Sequence, residues 1–390
     1  MKARHLLAAA AAVALSANAA AAQDVFKVGI LTPYTGTYAK LGQQQTWSFE
    51  MAAEEINADG GILGHRIEFV REDSEANPKV ATQKAEKLIT VDKVSLIVGT
   101  VSSGVSLAIG QVAERFGVNM ITSVSWSDAI TGAKCSPNAF RVNASAGQMA
   151  NTLAEWLAKE YGGKRISYIG PDYEMGRSTV AAFKALAEAR GLVSAGELYA
   201  PLETPDYSPF FGQLRAAQPD VLFAPMAGED SVRFFNQLAE FGMQGQFQLA
   251  GGAGSITPAE LPAIGSAADG FTFGAGYAAT IDTPENKAFV EKYKARSDGQ
   301  DPTLYSADAY GVLYLVKAAA EKAGSLEPEA VQKAMRGMSW ETPQGTKSIR
   351  EGDNQAVMTM YVVQINDGDF EVIDTIEGEA AIGKDECERW

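Results

Sequence analysis

Along the chain the spacing of apolar positions switches repeatedly between a period of two and a period near 3.6, which marks strands and helices in turn. Phe26-Lys27-Val28-Gly29-Ile30-Leu31 reads as a strand, and Thr32-Pro33-Tyr34-Thr35-Gly36-Thr37-Tyr38 as the turn-rich loop after it. Over 41–56, Trp47, Met51, Ala52, Glu55 and Ile56 fit helical spacing, and the run from Asn57 to Gly61 supplies residues that tolerate a left-handed stop. A strand over 67–71, a helix opened by Pro78 and running to Thr90, and the apolar run 94–98 continue the alternation.

The segment Gly99-Thr100-Val101-Ser102-Ser103-Gly104 lies between that apolar run and an amphipathic stretch over 105–116, so it predicts strand, tight turn, helix. A helix that begins at Ser102 or Ser103 leaves its first N–H groups without intrahelical partners, and its dipole favours a carboxylate or phosphate there. The two hydroxyls are expected either to cap the helix or to add donors to an anion site. A strand over 119–121 follows, and its exit Thr122-Ser123-Val124-Ser125-Trp126-Ser127 leaves the same sheet edge. Loops after the carboxyl ends of parallel strands are where open α/β sheets hold ligands.

A second series then begins, with helices over 148–161, 178–190, 209–217 and 229–241 and strands over 165–169, 193–199, 221–223 and 247–250. The fold class expected is α/β, in two doubly wound parallel-sheet lobes. Segments from Tyr277 onward, including helices over 284–297 and 306–323, are left to be shared between the lobes.

Residues 1–22 have a charged start at Lys2, Arg4 and His5, a short alanine-rich middle and a small-residue exit, the pattern of a secretory signal peptide cleaved after Ala22. The apolar run is too short for the roughly 20 residues that span a bilayer, and no cysteine follows it for lipid attachment. The expected address is the periplasm. Cleavage moves the formal charge from −15 to −17, which argues against nucleic acid or an anionic membrane surface as partner. His65 is then the only histidine, so a histidine- or cysteine-based metal site and any Ser/His/Asp triad that does not use His65 are not expected, and no cofactor is expected. Cys135 and Cys387 are the only cysteines, and in an exported chain they are expected to pair, tying down an otherwise loose tail.

The order of VGILTPYTGTYAKLG, AAEEINADGGILGHRIEFV, the DSEANP helix, LIVGTVSSG, NMITSVSW and PDYEMGRS resembles the periplasmic leucine/isoleucine/valine-binding protein family, the substrate-binding components of ABC importers. The resemblance implies a type I periplasmic binding fold, two lobes joined by three crossover strands, here near 142–145, 275–278 and 349–354. It divides the mature chain into 23–142 plus 277–350 and 143–276 plus 351–390. A membrane permease is the implied partner and a monomer the implied state.

Carried over residue by residue, the resemblance puts the ligand carboxylate on Ser103, beside Ser102, and further ligand contacts on Val124 and Trp126. The family's ammonium partners are missing: Asn143-Ala144-Ser145-Ala146 and Gly251-Gly252-Ala253-Gly254 hold no carboxylate, and Ala227 stands where the family has an aromatic residue. An α-ammonium closed into such a cleft would be a costly unpaired charge. Tyr34, Trp126 and Tyr173 offer aromatic walls, and Gly228 and Glu229 a second-lobe edge, with Glu229 as the residue to reach an ammonium if one is accepted. The expected function is therefore capture of a small organic anion, favouring an aromatic carboxylate or a 2-oxo acid, for an ABC permease. An amino-acid or amide binder and a ligand-sensing input protein are the alternatives. A secreted hydrolase lacks a nucleophile elbow and a histidine base, and the loop acids Asp172 and Glu174 read as helix-terminal charges rather than a catalytic pair.

Overall fold

The computed structural model of the chain describes residues 24–389 apart from Thr37, Tyr173 and Ala259 and the side chains of Glu174 and Met175. The expected signal segment 1–22 and the site residue Tyr173 lie outside the described residues.

The first sheet is built by β1 (Val25–Thr32), α1 (Ala39–Ala58), β2 (Arg66–Asp73), α2 (Pro78–Thr90), β3 (Leu96–Gly99), α3 (Ser103–Phe116), β4 (Asn119–Thr122) and β5 (Ala139–Arg141). Its strands run parallel in the order β2-β1-β3-β4-β5. The strands inside the edge strand β2 are buried on both faces, and the alternation shows which side chain goes where. Phe26, Val28, Ile30, Leu96, Val98 and Ile121 enter the large core shared with α1, whereas Leu31, Ile97 and Met120 pack beneath α2 and α3.

The chain then crosses to α4 (Ala146–Tyr161), β6 (Arg165–Pro171), α5 (Glu174–Ala189), β7 (Val193–Ala200), α6 (Ser208–Ala217), β8 (Val221–Phe223), α7 (Glu229–Glu240), β9 (Gln248–Ala250), α8 (Leu261–Ile264) and β10 (Thr272–Ala275). It returns through α9 (Pro284–Arg296), α10 (Leu304–Ala323) and α11 (Pro328–Met335), of which α10 packs along α1. A small antiparallel sheet of β11 (Ser339–Thr342), β12 (Gly345–Ile349) and β13 (Ala356–Met358) leads to β14 (Met360–Asn366), β15 (Asp369–Ile376) and α12 (Gly378–Ala381).

The second sheet has the order β15-β14-β10-β9-β8-β6-β7. It is parallel from β7 to β10, as the α/β reading requires, but β14 and β15 add an antiparallel hairpin that the periodicity did not suggest. Asp367 and Gly368 close it with φ of 50° and 82°, the pair of positive φ values that a two-residue hairpin turn of right-handed twist demands. Helix α5 also starts earlier than expected, so the loop over 170–176 is shorter than its glycines suggest.

Where the first and third crossings meet, Asp308 of α10 and Lys347 of β12 form an ion pair with side chains 2% and 1% exposed. Lys347 Nζ also donates to Val142 O (3.0 Å), and Gln344 Nε2 donates to Asp308 Oδ1 (2.8 Å). Burial pushes the Asp308 carboxyl up and the Lys347 ammonium down, each against the pull of its partner. Both directions say that desolvation outweighs the attraction, so the pair fixes geometry more than it adds stability.

The tail divides rather than staying wholly with the second sheet, as 351–390 was expected to do. Helix α12 packs on α4 and β13, and Arg350 Nη1 then donates to Gly383 O (2.9 Å). Beyond it, Cys387 is bonded to Cys135, and Arg389 pairs with Glu114 of α3 at 2.7 Å and donates to Cys135 O. The predicted cysteine pairing is thus present, and the tail is a strap from one lobe to the other.

Two outcomes follow. Asp308→Asn leaves a buried ammonium uncompensated and is expected to cost about 3–5 kcal/mol in chemical denaturation, while Asp308→Leu with Lys347→Met stays close to the parent. Non-reducing mass spectrometry is expected to find one peptide joining the segments around Cys135 and Cys387. Reduction should lower stability by an amount on the order of 5 kcal/mol at most; two alkylatable thiols in the oxidised protein would contradict the bond.

Candidate functional site

The turn between β3 and α3 is unusual in its backbone. Gly99 sits at φ 114°, with a Cβ there only 2.9 Å from Leu31 O, so a side chain would collide with the neighbouring strand. Thr100 adopts φ 61°, a left-handed conformation that a β-branched residue rarely takes. Its hydroxyl supplies the compensation: it donates to Gly99 O (2.7 Å), lies 3.0 Å from Thr122 Oγ1 and accepts from Ser106 Oγ (2.7 Å). Ser106 Oγ also lies within hydrogen-bond distance of Ser125 Oγ, which stands 3.0 Å from Val101 O. Buried hydroxyls thus lock the β3 turn to the loop after β4. Sequence reasoning missed this network, although the Thr and Ser residues closing two adjacent strands carried the signal.

At the start of α3, Ser102 is the N-cap with extended backbone and makes no side-chain capping bond. Among the described residues, no group accepts from the N–H groups of Ser103, Gly104 or Val105; the first helical bond is Ser106 N to Ser102 O. The capping role expected as one option for the serines is therefore not used. Ser103 Oγ instead accepts from Ser127 N (3.3 Å), which leaves the serine's own proton free to donate elsewhere. The contrast with α4 is complete. There Ala146 N donates to Trp126 O (2.9 Å), Gly147 N to Asp128 Oδ1 (3.1 Å) and Gln148 N to Ser145 Oγ (3.1 Å), the last within a capping box. One helix terminus is closed by the protein, and the other is open.

Trp126 stands beside the open terminus, since Ser127 next to it bonds Ser103. Its ring stacks on Tyr305 with centroids 6.1 Å apart and planes inclined by 21°. It also reaches the second lobe: a Cβ at Gly254 would lie 3.4 Å from it. Burial pushes the Tyr305 phenol up to about 12, with Glu260 and Tyr38 adding to the shift. Tyr305 was not foreseen, because it falls in the first turn of α10, among segments left unassigned to a sheet edge.

The remaining expected residues are placed as follows. Tyr34 is half-buried at the end of β1, its N–H donating to Asp73 Oδ1 (3.0 Å) and its hydroxyl 3.0 Å from Thr46 Oγ1. Burial raises its phenol, opposed by the bond to Thr46. Burial works against the Asp73 carboxylate as well, yet the donors of Tyr34, Thr35 and Glu75 hold it below its ordinary range. Val124 is buried at 4% exposure. Gly228 and Glu229 are exposed at the start of α7, and among the described residues no hydrogen bond or ion pair joins them to Ser103 or Trp126. Asp230 beside them is engaged, paired with Arg233 and accepting from Glu203 N (3.2 Å). Asp172 is taken by Arg177.

In the first crossing, Asn143 is 1% exposed. Its Nδ2 donates to Ser125 O (3.2 Å) and Ala144 O (2.9 Å), while its Oδ1 is buried without a partner among the described residues. No group of His, Cys, Asp and Glu side chains among the described residues has the makings of a metal site. No described helix is long and apolar enough to cross a membrane.

Two α/β sheets linked by crossings of the chain, with an open helix terminus beside an aromatic pair, make a two-lobed architecture. The chain belongs to the periplasmic binding protein family, whose profile matches residues 25–369, as the resemblance in sequence implied. It is a solute-binding protein of the ABC importer class. It is 30% identical over 400 residues to Leu/Ile/Val-binding protein homolog 8 of Brucella suis, with 98% of each chain covered. Among solved structures, a solute-binding protein of an ABC transporter from Rhodopseudomonas palustris, in complex with 3,4-dihydroxy benzoic acid, is 29% identical with a TM-score of 0.76, covering 91% of this chain and 98% of that one. An ABC transporter substrate-binding protein from Sphaerobacter thermophilus is 28% identical with a TM-score of 0.82 at the same coverages.

Proposed function

We propose that this protein captures a small organic anion, an aromatic carboxylate or a 2-oxo acid, and delivers it to the permease of an ABC importer. The observation that carries the reading is the open N-terminus of α3, with the Ser103 hydroxyl free to donate, set beside the Trp126–Tyr305 stack. A carboxylate fits the unpaired N–H groups and the positive end of the helix, and a flat apolar body fits the stacked rings. The neighbour solved with a dihydroxybenzoic acid supports the same chemistry. The absence of a carboxylate from 143–146 and 251–254 argues against an α-ammonium in the cleft.

In this reading residues 1–22 direct export and are removed, 23–142 with 277–350 form one lobe, and the other is 143–276 with the hairpin and α12. Ser102 and the Val124 main chain complete the anion side. Tyr34 and Tyr173 belong to the wall, and Gly228 and Glu229 to the opposing edge. A second reading, an amide or amino acid as ligand, is favoured by one observation. Asn143 Oδ1 is a buried acceptor with no partner among the described residues, beside the loop that carries Trp126.

Ser103→Ala is expected to weaken carboxylate binding by about 1.5–3 kcal/mol, one hydrogen bond to a charged group, in titration calorimetry. Parent-like affinity would reduce Ser103 to a helix residue. In a thermal-shift screen, benzoate and phenylpyruvate are expected to stabilise the protein more than leucine or valine. Branched-chain amino acids giving the largest shift would reverse the choice of ligand and favour the second reading.

A further inference from the structure

Arg141 ends β5, immediately before the first crossing, and is 1% exposed, the largest fully buried side chain among the described residues. No carboxylate pairs with it among those residues. Its guanidinium is shared among three neutral acceptors: Nη1 donates to Ser127 O, Nη2 to Thr131 Oγ1 (2.8 Å) and Nε to Gln355 Oε1. Burial lowers it to about 10, with Asp128 and Asp353 acting in the other direction, so it is charged at neutral pH. Gln355 lies in the third crossing and extends the chain of bonds, its Nε2 donating to Asn143 O (2.9 Å) and Gln148 Oε1 (3.0 Å).

Ser127 is held on both sides. Its carbonyl accepts from Arg141, while its N–H donates to Ser103 Oγ. A hydroxyl oxygen that already accepts from an N–H turns its own proton away from that N–H, free for another acceptor. The direction in which Ser103 donates therefore depends on the loop that presents Ser127, and that loop depends on Arg141.

We propose that Arg141 is a positioning residue for solute capture, which fixes the 126–127 turn so that Ser103 offers its proton to the ligand carboxylate. The inference rests on the reading of Ser103 as the carboxylate partner. It adds that the anion preference is set from the hinge, by a side chain that never touches the ligand.

The test is a double-mutant cycle read with benzoate and, for comparison, benzamide. Arg141→Met is expected to lose about tenfold in benzoate affinity, the scale of one charged hydrogen bond, with a much smaller loss for benzamide. In a Ser103→Ala background the same change is expected to cost little more, because both act on one proton. Arg141→Lys, which keeps the charge but not the fork, should recover only part of the loss. Independent, multiplying losses from Arg141→Met and Ser103→Ala, or equal losses for benzoate and benzamide, would make Arg141 a structural residue only and overturn the proposal.

A measurement without ligand separates this inference from the choice of solute. Hydrogen exchange of the peptide covering 122–130 should accelerate in Arg141→Met in the unliganded protein. It should accelerate less in Gln355→Leu, which removes the acceptor of Arg141 Nε together with the bonds of Gln355 to Asn143 O and Gln148 but leaves the Arg141 bond to Ser127 O in place, and which also serves if Arg141→Met does not fold. Unchanged exchange in both variants overturns the positioning role. Accelerated exchange with no benzoate binding by the parent overturns the carboxylate reading instead.

Discussion

Three times the chain passes between the lobes, and where it does so the backbone groups that a ladder would satisfy must find other partners away from water. The rest of the structure is arranged around that requirement. Asn354 O accepts from Arg141 N (3.1 Å), Val142 O from Lys347 Nζ, Asn143 O from Gln355 Nε2, and Ser145 N donates to Gln148 Oε1 (2.8 Å). Side chains from α10, β12 and the segment after it converge on one short stretch of first crossing. The Asp308–Lys347 pair and the isolated guanidinium of Arg141 are unfavourable as burials of charge, but they hold in place backbone that no strand neighbour could hold.

The same economy explains why the two helix termini at the cleft differ. Helix α4 starts at the hinge, and its first N–H groups are consumed by Trp126 O, Asp128 and Ser145, which ties the second lobe to the loop of the first. Helix α3 starts at the sheet edge, where Gly99 and Thr100 bend the chain sharply and no side chain folds back to cap it. A binding protein needs rigidity at the first place and unspent donors at the second. Both are achieved with serine at the N-cap, and the difference lies in whether its hydroxyl faces the helix.

Much of this was legible in the sequence for a local reason. The central parallel strands of both sheets are short apolar runs, the helices between them carry ordinary stop residues, and the turn at Ser102 and Ser103 joins one to the other without interruption. The convergence of Ser103 and Trp126 followed from their places after adjacent parallel strands. What was not legible depends on distant pairing. Arg141 reads as an ordinary charged strand end, and one of the partners that hold it internal, Gln355, lies more than two hundred residues away. Tyr305 opens a helix that packs on α1, far from it in sequence. The β14–β15 hairpin is a different kind of omission, since Asp367-Gly368 between apolar strands is a local turn signal that was open to reading.

The bond between Cys135 and Cys387 encloses every strand of the second sheet, from β6 to β15. Covalent closure therefore comes after that entire sheet has been synthesised, and no partial chain can be trapped in the finished ring. The ring thus holds together the two ends of a stretch that contains the whole of the second sheet, and what it restricts is how far those ends can part once that sheet is complete.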